Sequence, residues 1–178
     1  MYPFGRREQV LTATWTASRG VEVTYSDLPD PWLSALDRLS HDLLVRQYGG
    51  CIEHIDWVAE YDPEGGAGWL MSSVTIAGRR PGRLGCSGSG APVDADEEII
   101  LVSMADLVQN EVADVCTAWL WGDEGGFMSS GLIGEVAMWK DRKGSTTRIG
   151  DLVRTTSTMA IDTPHVVSIS TNIDHRPA

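Results

Sequence analysis

Cys51-Ile52-Glu53-His54, with Asp56 two positions further on, is the densest set of chemically able side chains in the sequence. A thiolate and an imidazole at this spacing can share a metal ion, and an imidazole beside a carboxylate can move a proton. In an extended strand, however, Cys51 and His54 point to opposite faces, so metal sharing needs an irregular backbone. A buried thiol and a surface imidazole is the plainer reading. His54 and Asp56 share a face and stand as the candidate acid or base. No metal site and no cofactor is assigned.

The other constellations are weaker. His41-Asp42 falls within a predicted helix, where neighbours point about 100° apart and do not face each other. His165 and His175 lie near the end of the chain. The glycine-rich stretch from Gly82 to Gly90 lacks the Gly-Lys-Ser/Thr of a phosphate cradle and leads into Ala91-Pro92 and acidic residues. Gly85-Cys86-Ser87-Gly88-Ser89 ends in Ser where a nucleophile elbow requires Gly. Asp94, Asp96, Glu97 and Glu98 have no calcium-loop spacing and read as a solubilising run. Trp57, Trp69 and Trp139 are candidate walls of a ligand pocket between sheet and helices.

Composition narrows the function classes. Over 178 residues the formal net charge is −11, so the mean field repels nucleic acid and anionic lipid. The basic residues form only small clusters: Arg6-Arg7, Arg79 with Arg80 and Arg83, and Lys140 with Arg142 and Lys143. Three cysteines, Cys51, Cys86 and Cys116, form no disulfide framework or zinc-knuckle pattern. No apolar run is long enough to span a membrane and the start lacks a leader pattern, so the expectation is a cytoplasmic protein. With no reactive group placed by local pattern, the leading expectation is a non-catalytic, acidic protein-binding module. It would act on a partner with a basic surface, as an immunity-type inhibitor or adaptor does. The alternative is a small-molecule enzyme or ligand binder using the tryptophans above. Oligomeric state is not specified.

These residues have to be held by elements that the patterning predicts. Residues 9–17 and 21–25, separated by Ser18-Arg19-Gly20, form a hairpin with Val21, Val23 and Tyr25 on one face. Asp30 as cap, Pro31, and apolar Trp32, Leu36, Leu39 and Leu43 before Gly49-Gly50 predict a helix over 31–48. A second hairpin pairs 51–61 with 69–77. In its first strand Cys51, Ile55, Trp57, Ala59 and Tyr61 face one way, and Ile52, His54, Asp56, Val58 and Glu60 the other. Residues 78–97 are expected as a long flexible loop, 99–102 as a short buried strand, and 104–119 as a second helix carrying Val108, Val112, Val115 and Trp119. A loop over 122–131 precedes a third hairpin, 135–140 with 145–149, and a last strand is expected at 166–169. The fold class is α+β in a single domain: antiparallel hairpins forming one or two sheets, with two main helices packed on a face.

Overall fold

The computed structural model describes residues 7–46, 52–78, 89–115, 119–122 and 126–154. All three cysteines, the expected strand at 166–169, His165, His175 and the arginines at 79, 80 and 83 lie outside the described residues. The elements are β1 (Glu8–Thr16), β2 (Gly20–Ser26), α1 (Asp30–Val45), β3 (Ile52–Asp62), β4 (Ala67–Ile76), β5 (Ser89–Pro92), α2 (Glu97–Asp114), β6 (Ser129–Ile133), β7 (Val136–Lys140) and β8 (Thr146–Arg148). All strand pairs are antiparallel. One sheet has the order β2-β1-β3-β4-β5 and the other β6-β7-β8, which makes the fold α+β.

Alternation in β1 and β3 decides which face of the large sheet is covered. Leu11, Ala13, Trp15, Ile55, Trp57 and Ala59 are fully buried, while Thr12, Thr14, Asp56 and Val58 are only half-buried on the other face. The helices supply the cover: Trp32, Ala35, Leu36, Leu39 and Leu43 from α1, and Ile100, Leu101, Met104, Ala105 and Val108 from α2. Trp32 lies over Gly68 of β4, where an added Cβ would stand 2.9 Å from the indole ring, and its Nε1 donates to Val93 O at 3.1 Å. α2 also packs on β6 and β7, so it bridges the two sheets.

Several expectations are corrected. Register shifts break the predicted faces. One at Thr12/Ala13 sets Val23 opposite Ala13 but Tyr25 opposite Thr12 on the outer face, and one between Ile52 and His54 brings Ile52 into the core. Asp30 does not cap α1. The N-cap is Pro29, without a side-chain bond, and Asp30 adds favourable negative charge to the first turn. The helix ends at Val45, and positions 47 and 48 lie outside the described residues.

The larger correction concerns α2. Residues 99–102 are its second turn rather than a strand, and Trp119 lies beyond its C-terminus. A continuous apolar run has no period that separates buried strand from buried helix. Asp96 decides, because its Oδ1 accepts Glu98 N at 2.9 Å and starts the helix there. The predicted 78–97 loop contains β5 and the approach to α2, while positions 79–88 lie outside the described residues. β6 occupies part of the predicted 122–131 loop and extends past it. The hairpin β7–β8 stands where expected.

Candidate functional site

Capping by Asp96 puts Glu97 and Glu98 in the first turn of α2, and there Glu98 meets three other elements. Its Oε1 accepts from Arg38 Nη1 of α1 at 2.7 Å and from Arg148 Nη2 of β8 at 2.8 Å. Its Oε2 accepts the Ala137 N–H of β7 at 2.7 Å and Arg38 Nη2 at 3.3 Å. The backbone explains this arrangement. Ile149 N donates to Ala137 O, but the chain then turns at Gly150, φ 99°, and Ile149 O faces Arg38 Nε at 3.1 Å and Nη2 at 2.8 Å. An ion pair thus replaces a missing ladder bond, leaving neither backbone group orphaned. Arg38 Nη1 also donates to Glu97 Oε1 at 2.6 Å.

Burial alone would raise the Glu98 pKa. The hydrogen bonds from Arg38, Ala137 N–H and Arg148 outweigh it and hold the carboxyl at about 2, against an ordinary 4.5. The Arg38 guanidinium is moved the opposite way by the same contacts: desolvation opposes its charge, but Glu98 and Glu97 raise its pKa above the ordinary value.

Outside this network opens a cleft of about 690 Å³ lined by Asp96, Glu97, Glu98, Ile99, Leu132, Glu135 and Arg148. Four carboxylates are thus gathered beside two apolar side chains, Ile99 and Leu132, that are 44% and 48% exposed. Glu135 reaches the cleft from the tip of the β6–β7 hairpin, where Gly134 and Glu135 have φ 56° and 65°. The second of these is the left-handed conformation that glycine or asparagine ordinarily supplies. Replacing Glu135 with glycine is expected to raise stability by about 0.5–1 kcal/mol in urea unfolding. A variant no more stable than the parent would show that Glu135 carries no backbone cost.

The residues singled out from the sequence are dispersed. His54 and Asp56 do meet on the outer face of the large sheet. His54 Nε2 lies 3.4 Å from Asp56 Oδ2 and 3.2 Å from Thr75 Oγ1, and Thr14 Oγ1 donates to Asp56 Oδ1 at 2.8 Å. The three tryptophans do not converge. Trp57 is fully buried on the helix-covered face, and Trp69 lies on the opposite face, with the Arg7 guanidinium 5.7 Å from its ring centre. Trp139 is buried under the small sheet, edge-on to Trp119 at 5.5 Å. Among the described residues no group of three or more His, Cys, Asp or Glu side chains could hold a metal ion.

Two features were missed from sequence. His41 and Asp42, read there as not facing each other, approach to 3.2 Å between Nδ1 and Oδ1. Asp42 turns fully inward beneath the half-exposed imidazole. The acidic run at 94–98, read as solubilising, supplies three walls of the cleft. Its signal was the Asp96-to-Glu98 cap, which places the charges at a helix start rather than before a strand.

No family model, curated protein or solved structure matches the chain. No helix among the described residues is long and apolar enough to cross a membrane.

Proposed function

We propose that the protein is a non-catalytic binding module that takes a basic segment of a protein partner into the acidic cleft, in the manner of an immunity-type inhibitor or adaptor. The observation that carries this reading is the joining of Asp96, Glu97, Glu98 and Glu135 with exposed Ile99 and Leu132 around one cleft. Carboxylates suit guanidinium or ammonium groups, and the apolar residues suit the aliphatic stems that carry them. The net charge of −11 adds long-range attraction for such a partner.

Fluorescence anisotropy with a labelled hexapeptide alternating Val and Arg tests the proposal, with a Val and Glu counterpart as control. The Arg peptide is expected to bind, to weaken as salt rises, and to lose about tenfold in affinity when Glu135 becomes Lys. Equal binding of the two peptides, or indifference to Glu135→Lys, would overturn it.

A second reading, a small-molecule enzyme or ligand binder, draws on one observation: the His54 imidazole 3.4 Å from the Asp56 carboxylate, with Thr75 and Thr14 hydrogen-bonded to them. A metabolite whose thermal stabilisation of the protein disappears in His54→Ala would favour that reading over the first.

A further inference from the structure

We infer that the edge of β6, which no described strand pairs, is where the partner docks, by adding an extended basic segment as a fourth strand of the small sheet. This rests on the cleft reading above and specifies the conformation of what the cleft receives.

The hydrogen-bonding pattern of the hairpin supplies the template. The two-residue turn Gly134-Glu135 pairs Ile133 with Val136, and the register continues Leu132 with Ala137, Gly131 with Met138 and Ser130 with Trp139. Antiparallel pairs alternate between bonded and non-bonded. Ala137 sends its N–H to Glu98 and its carbonyl to Ile149 N, both on the β8 side, so Leu132–Ala137 is a non-bonded pair. The N–H and C=O groups of Leu132, and by the same alternation Ser130, therefore point away from β7 along the sheet edge.

Edge strands ordinarily carry a device that prevents further pairing. Among the described strands, β2 faces a register shift in β1 and holds Glu22, β5 has four residues ending in Pro92, and β8 has three residues ending in Arg148. β6 has five residues, Ser-Ser-Gly-Leu-Ile, without a charge, a proline or a register shift. Leu132 and Ile133 are 48% and 45% exposed, and a Cβ added at Gly131 would meet nothing within 4 Å. This edge has the features that strand addition uses: main-chain groups for affinity and a neighbouring pocket for alternate side chains.

Charge selects the occupant. Leu132 of β6 and Glu135 of its turn line the cleft together with the acidic first turn of α2, where Glu97 and Glu98 already pair with Arg38 and Arg148, so a strand laid on β6 lies beside a cleft whose other carboxylates are Asp96 and Glu135. Arg or Lys fits there.

Amide shift mapping of the full chain with the Val and Arg hexapeptide locates the contact, and a version N-methylated at alternate amides removes its strand donors without changing its charge. Shifts centred on residues 129–133, slowed amide exchange at Ser130 and Leu132, and at least about tenfold weaker binding of one N-methylated register are expected. Leu132→Pro should weaken binding similarly, with the N-methylated peptide as the measurement that does not depend on its folding. Affinities of both N-methylated registers within about twofold of the parent would overturn strand addition. Continued sensitivity to Glu135→Lys in that case would leave the cleft reading standing. Insensitivity to both would remove the two together. Concentration-dependent dimers with protection at Ser130 and Leu132 would also overturn the inference, in favour of self-pairing.

Discussion

Asp42→Ala is expected to lower the unfolding free energy by about 3–5 kcal/mol, the scale for three N–H donors that lose one shared acceptor. Asp42 sits on α1 with no exposed surface. Its Oδ2 accepts Trp139 Nε1 at 2.6 Å and Gly150 N at 2.8 Å, and its Oδ1 accepts Leu152 N at 3.2 Å. One carboxylate therefore fixes the small sheet and the 150–152 segment against the helix. Alanine leaves an indole N–H and two backbone N–H groups buried without acceptors, each a desolvation cost in itself. Asparagine keeps the volume but turns an amide NH₂ toward donors, so Asp42→Asn should recover little. Urea unfolding at constant m-value is the check. A loss under about 1 kcal/mol for alanine would mean that the three N–H groups find other partners.

Glu98 is expected to dominate the acid limb of the stability profile. Its folded pKa of about 2 lies below the unfolded 4.5, so its contribution is complete above the unfolded value and is lost as pH falls through about 2. A shift of that size corresponds to about 3 kcal/mol. Glu98 lines the open cleft and its partner Arg148 is half-exposed, so solvent screening makes this an upper figure. Glu98→Gln should be less stable than the parent at neutral pH and should show a flatter decline between about pH 4.5 and 2. Glu111 works with the opposite sign. Burial, with Asp114 nearby, raises its pKa, so its charge opposes folding as pH rises through the folded value. Parallel acid limbs for parent and Glu98→Gln, followed by circular dichroism, would show that the Arg38 and Arg148 contacts do not persist in solution.

How much of this was legible beforehand depended on whether a local pattern had a single reading. The stripe of Trp32, Leu36, Leu39 and Leu43 has only a helical reading, and α1 follows it. The alternation through Ile55, Trp57 and Ala59 has only a strand reading, and β3 follows it. Ile99-Ile100-Leu101-Val102 has two readings. The choice came from Asp96 as cap and from packing on α1 and both sheets, which buries Ile100 and Leu101 of that run. β6 was hidden because its turn, Gly134-Glu135, lacks the Asn-Gly or Asp-Gly pair that ordinarily marks positive φ at both central residues.

The candidate cleft was legible only as a list of acidic residues. Asp96, Glu97 and Glu98 are consecutive, but Arg38, Leu132, Glu135 and Arg148 are distant in sequence and meet them only because α2 crosses from one sheet to the other. The sequence by itself determined the α+β class, the β1–β2, β3–β4 and β7–β8 hairpins, the first helix, the sign of the charge and the shared face of His54 and Asp56. These follow from periodicity and composition, which are local or additive. Tertiary structure alone decided the inward turn of Asp42, the separation of Trp57, Trp69 and Trp139, and the open edge beside an acidic cleft. Each of those depends on register and on which surfaces are left after packing, and neither quantity belongs to any one segment of the chain.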